Sequence, residues 1–106
     1  HQLSGLHAEL EGDDDSDARR LVLSGSATFL SLPRLASLLQ EVPSDAKLSI
    51  GFRRLDYIDH ACLEMLTNWA EQHESTGGKT EIDWDSLAKK YDEDQELVKP
   101  ENISSD

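Results

Sequence analysis

The amino-acid sequence predicts an α/β layer fold: a small, mostly parallel mixed β-sheet of about four strands with helices packed against it. Three observations lead there. Short segments alternate apolar and polar residues, as in Leu6-His7-Ala8-Glu9-Leu10, which is the period of a half-buried strand. Others repeat apolar residues every three or four positions, as in Leu32, Leu35, Leu38, Leu39 and Val42, which is the period of an amphipathic helix. From Arg20 onward the two kinds take turns, and strand–helix alternation builds a sheet with crossover helices.

Taken in order, residues 6–10 form the first strand. Gly12-Asp13-Asp14-Asp15-Ser16-Asp17 follows as a solvated turn, because its like charges repel and nothing in it can be buried. Arg20-Leu21-Val22-Leu23-Ser24-Gly25 is a second strand, more apolar and so more central. The two make a hairpin with an acidic tip at 12–18. After a short connection at 26–29, Ser31 stands as an N-cap, with Pro33 in the first turn where its missing N–H costs nothing. Pro43 stops that helix.

Ala46 to Phe52 reads as the next strand, with Leu48, Ile50 and Phe52 on one face and Leu55 and Ile58 closing the segment. A second helix then carries an apolar stripe of Ala61, Cys62, Met65, Leu66, Trp69 and Ala70. It ends at Gly77-Gly78, since glycine takes the left-handed C-terminal conformation without penalty. Thr80 to Trp84 alternates again as a strand, and Asp85 or Ser86 caps a short third helix at Leu87–Tyr91. Residues 1–91 are thus expected to form the domain. The acidic and then Pro/Asn/Ser-containing stretch 92–106 is expected to be a disordered tail.

Composition narrows the function. The chain has 106 residues, enough for one domain with a modest core. It carries 22 acids against 10 Lys and Arg, a formal charge of −12. A nucleic-acid backbone and an anionic membrane leaflet would both be repelled, so neither is an expected partner. Cys62 is the single cysteine, which excludes an intrachain disulfide and favours a reducing compartment. Asn102-Ile103-Ser104 is a glycosylation triplet of a kind common by chance. No apolar stretch approaches the ~20 residues that span a bilayer, and no signal-peptide pattern is present, so this segment is expected to be soluble. The first residue is His1, which leaves open a fragment, a processed form or the remnant of a tag.

The stretch YIDHACLEML, Tyr57 to Leu66, concentrates an acid, an imidazole and a thiol. Asp59 lies where a strand hands over to a helix. A carboxylate there accepts the helix's unpaired N–H groups and meets its positive end. The functional reading, an acid poised at an anion-binding helix terminus, does not exclude the structural one. His60, at the first helical position, sits at the surface. Catalysis would require a nucleophile and an orienting partner, and no known nucleophile motif is present, so no catalytic residue is assigned.

A metal site is not expected either. His60 and His73 lie more than about three turns apart on one helix, Cys62 does not share the face of His60, and no second cysteine completes a zinc set. No cofactor is implied. Cys62 is better placed as a small core residue, and Trp69 and Trp84 as packing residues. Gly78-Lys79-Thr80 mimics the end of a phosphate-binding loop, but the required earlier glycine is replaced by His73 and the strand–helix order is reversed. Arg53 and Arg54 read as a solvated surface, with contact to an anion as the alternative.

The stretches LVLSGSATFLSLPRLASLLQEVP and KLSIGFRRLDYIDHACLEMLTNWAEQHESTGGKTEIDW resemble a STAS domain, an anti-sigma factor antagonist-like fold, over about Arg20 to Leu87. YIDHACLEML with the downstream Thr-Gly-Gly is the most specific part. It is most similar to the C-terminal cytoplasmic STAS domain of bacterial SulP-type inorganic anion transporters. The resemblance implies a non-catalytic regulatory domain at the cytoplasmic side of the inner membrane, belonging to a secondary transporter of sulfate, bicarbonate or a related anion. Its implied partners are the transporter's own membrane domain, other cytoplasmic proteins or a second protomer. The implied contact surface is the start of the helix at Asp59 and His60, together with the loop before the Ser31 helix. The other branch, the free-standing antagonist that binds a partner kinase, is switched by phosphorylating a Ser or Thr directly after the family's Asp. Here that position is His60, so the switch lacks its hydroxyl.

Overall fold

The computed structural model describes residues 5–12 and 17–98. Strands β1 (Leu6–Glu11) and β2 (Ala18–Ala27) are followed by a 3₁₀ turn at Phe29–Ser31 and helix α1 (Leu32–Leu39). Then come β3 (Lys47–Ile58), α2 (His60–Ser75), β4 (Lys79–Glu81) and α3 (Trp84–Val98). The four strands lie in chain order, with β1 antiparallel to β2 and β2, β3 and β4 mutually parallel. This is the mixed, mostly parallel sheet that the alternation of periods predicts.

The pleat decides the core. Ala8 on β1, Leu21 and Leu23 on β2, and Leu48, Ile50, Leu55 and Ile58 on β3 point to one face and are buried there. Leu35 and Leu39 of α1, Cys62 and Leu66 of α2, and Leu87 of α3 join them in a single cluster. Arg34 anchors α1 to the sheet by donating from Nη2 to the carbonyl of Ala8, 2.9 Å away. Among the described residues no helix covers the opposite face, which carries His7, Glu9, Glu11, Arg20, Arg53 and Arg54 exposed.

Several boundaries differ from the sequence reading, each for a local reason. The first helix ends at Leu39, before Pro43, and Ser31 occupies its N-cap position without a side-chain capping bond. Ser31 is itself the last residue of the 3₁₀ turn, with φ −91° and ψ −4°, whereas a capping side chain works from extended backbone. Strand β3 runs on to Ile58 because irregular steps in its pairing with β2 let it continue past Phe52. The last strand stops at Glu81. Asp83, not Asp85 or Ser86, caps α3: its Oδ1 accepts the Ser86 N–H at 3.1 Å and its Oδ2 the Ser86 hydroxyl at 2.8 Å. Those two bonds, the hydroxyl's first, hold the Asp83 carboxyl below its ordinary range. Helix α3 continues to Val98, across positions where the sequence suggested a tail from Asp92. Residues 13–16 of the expected acidic tip and residues 99–106 lie outside the described residues.

Candidate functional site

The site is the corner where β2 and β3 end side by side. Asp59 follows the last residue of β3 in extended conformation, φ −87° and ψ 172°, and opens α2. Its carboxylate has two partners. Oδ1 accepts the N–H of Cys62 at 2.9 Å, which is the N-cap bond, and Oδ2 accepts the N–H of Phe29 at 2.7 Å. Its own N–H donates to Ala27 O at 2.8 Å. One residue therefore closes the end of the β2–β3 pair, starts α2 and holds the loop that precedes α1.

Cys62 adds a second tie. It is fully buried, and its thiol donates to Thr28 O at 3.1 Å. Burial, reinforced by the neighbouring Asp59 carboxylate, pushes the thiol up to about 12. The expected consequence is inertness. At pH 8 the native chain holds roughly three orders of magnitude less thiolate than an ordinary cysteine. Alkylation followed by mass spectrometry should therefore modify Cys62 only in denaturant. Labelling of the folded chain at a free-thiol rate would contradict this geometry.

His60 points outward. Its side chain is 73% exposed, with Nε2 3.9 Å from the Glu64 carboxylate one turn along and its ring 6.3 Å from that of Tyr91 on α3. Phe29 and Leu30, 63% and 78% exposed, stand on the same corner in the loop that Asp59 holds. The resemblance marks the loop before Ser31 as a contact surface without singling out this pair within it. The signal was two large apolar side chains placed next to each other in a loop, where polar residues are the rule.

Of the chemically capable residues of YIDHACLEML, Asp59 and Cys62 are neighbours, but the three do not face a common open site. His60 faces solvent and Glu64, Cys62 faces the interior, and Asp59 is engaged by two backbone N–H groups. His73 lies at the far end of α2. It is buried, stacked on Trp69 at 4.5 Å between ring centroids, and its Nε2–H donates to Ala46 O at 2.7 Å. Among the described residues no group of three or more His, Cys, Asp or Glu side chains is arranged to hold a metal ion. The Gly77-Gly78-Lys79 segment joins the end of a helix to the start of a strand, opposite to a phosphate-binding loop.

The family model described as "Mlab, STAS domain" matches residues 11–86, well over half of the chain. The chain belongs to this STAS family. A solved structure described as "Crystal Structure Analysis of Mglu" matches the STAS domain with a TM-score of 0.62 at 17% identity, over 71% of this chain and 19% of that one. At that identity the likeness shows the fold alone. No curated protein matches the sequence. STAS domains are generally non-catalytic regulatory or interaction modules, which agrees with a corner whose polar groups are spent on backbone bonds. Among the described residues no helix is long and apolar enough to cross a membrane.

Proposed function

We propose that this STAS domain is a non-catalytic docking module that binds its partner through the corner of Phe29, Leu30, Asp59 and His60, and that the partner is the membrane domain of a SulP-type anion transporter. One observation carries the docking surface: a half-buried carboxylate fixes a loop that presents two large apolar side chains to solvent, beside an exposed imidazole. Apolar anchors set among polar neighbours are what a protein interface requires. The transporter assignment is supported by the sequence similarity of YIDHACLEML to SulP-type domains. Under this proposal the domain stands at the cytoplasmic side of the inner membrane, with sulfate, bicarbonate or a related anion as the transported species.

The identity of residue 60 favours a standing contact over a switched one. Phosphorylation works by adding charge to a hydroxyl, and His60 offers none to the kinases that act on Ser or Thr. That weighs against the free-standing antagonist. The test is binding of the purified domain to the membrane part encoded in the same reading frame, with Phe29→Ser/Leu30→Ser as the variant. Loss of two interface anchors should weaken binding by about tenfold or more. Unchanged binding would remove the corner from the interface. A reading frame without a multi-span membrane part would remove the transporter.

A further inference from the structure

The uncovered face of the sheet brings together residues that the sequence keeps apart. A concavity of about 500 Å³ lies there, lined by His7, Glu9 and Glu11 of β1, Arg20 of β2, and Arg53 and Arg54 of β3. Its volume is within the range of small-ligand sites. Two local irregularities create it.

The first is a bulge. Val22 pairs with Gly51, yet two residues later Ser24 pairs with Arg54, so β3 spends one extra residue across that interval. In a regular strand Arg53 and Arg54 would point to opposite faces, and one of them would enter the core. With the bulge both are exposed and both line the same hollow. The second is Gly51. A Cβ at this position would lie 2.5 Å from Nη2 and 2.9 Å from Cζ of Arg20, so the glycine gives the Arg20 guanidinium its resting place flat across the sheet.

Three guanidiniums therefore converge on one open concavity of a chain whose formal charge is −12. None of the three makes an ion pair or side-chain hydrogen bond with another described residue. Their forked donors match the oxygens of a phosphate group, free or esterified. Glu9 and Glu11, on the β1 side, limit the anionic charge that fits and offer acceptors to hydroxyl donors.

We propose that the open sheet face is a binding site for a small hydroxylated phosphate monoester, its phosphate held by Arg20, Arg53 and Arg54 and its hydroxyls by Glu9 and Glu11. The site stands apart from the docking corner and does not depend on what docks there.

The experiment is an amide-resolved NMR titration of the whole chain at low salt, where exposed charges are least screened, with glycerol 1-phosphate and inorganic phosphate as separate probes. Saturable shifts centred on Arg20, Val22, Gly51, Arg53 and Arg54 are expected, with glycerol phosphate the tighter. Arg53→Gln/Arg54→Gln should weaken both by about tenfold or more, from the loss of charge-assisted bonds. Gly51→Ala, which displaces Arg20 without changing charge, should weaken both severalfold. Glu9→Gln/Glu11→Gln should strengthen inorganic phosphate and narrow its gap to the ester. Lys89→Gln, on exposed α3, should change nothing. Shifts that fail to saturate, or affinity for both probes that survives Arg53→Gln/Arg54→Gln, would overturn the site. Equal affinity for the two probes would overturn the assignment of the ester.

Discussion

Asp59→Ala is expected to lower the stability of the fold by about 1–3 kcal/mol, combining the loss of a helix N-cap with the loss of a second backbone partner. The reasoning is local. The carboxylate receives Cys62 N–H on one oxygen and Phe29 N–H on the other, so truncation strands two donors at once. Asp59→Asn separates these contributions. One amide oxygen can still accept from Cys62, but the NH₂ then meets the Phe29 N–H, donor against donor. Asn should therefore cost about half as much as Ala while releasing the Phe29 loop to the same extent. Urea unfolding gives the first quantity, with an unchanged slope confirming that the denatured state is the same. Hydrogen exchange at the Phe29 amide gives the second. Full stability in the alanine variant, with Phe29 still protected, would show that the corner is held by something else. Because Phe29 and Leu30 ride on that loop, both variants should also loosen docking, even though Asp59 itself need not touch the partner.

Much of this arrangement was legible in the sequence because it depends on near-neighbour periodicity. Asp59 before a helical stripe, Cys62 within the stripe, and the strand–helix alternation all follow from spacing, and the cap, the buried thiol and the mixed sheet are where that spacing put them. What escaped was long-range. The bond from Asp59 to Phe29 joins residues 30 apart, and nothing in either segment announces the other. Arg53 and Arg54 share one face because of a bulge, which is an agreement between two strands and not a property of one. The short β4 and the Asp83 cap were misjudged because Thr80 to Trp84 alternates like a strand, while the carboxylate at 83 instead gathers the Ser86 donors and turns the chain into α3. His73 is a different kind of miss. It continues the buried series Cys62, Leu66, Ala70 at helical spacing, so its burial was readable from the spacing, while the residue type alone suggests a ligand.

The burial of His73 leads to the other large expected effect. Gly77 and Gly78 both look like a helix stop, yet they serve different physical needs. Gly77 adopts φ +102° with open space around it, so alanine there meets only backbone strain, about 1 kcal/mol. Gly78 has no positive φ to protect. A Cβ on it would instead run into the ring of His73 at Nε2, Cε1 and Cδ2. That ring cannot yield easily, being stacked on Trp69 and donating to Ala46 O, the same carbonyl that accepts Lys79 N–H at 3.2 Å at the start of β4. Gly78→Ala should therefore cost about 1–3 kcal/mol through overpacking, more than Gly77→Ala despite the milder backbone. The decisive measurement is a double-mutant cycle with His73→Ala. Removing the ring costs its own hydrogen bond and stacking, but it also clears the space, so Gly78→Ala should be markedly less destabilising in that background. If the two losses simply add, the close approach of Gly78 to the imidazole is not what ties the end of α2 to β4. If Gly77→Ala proves the worse of the pair, it is the left-handed turn that does so.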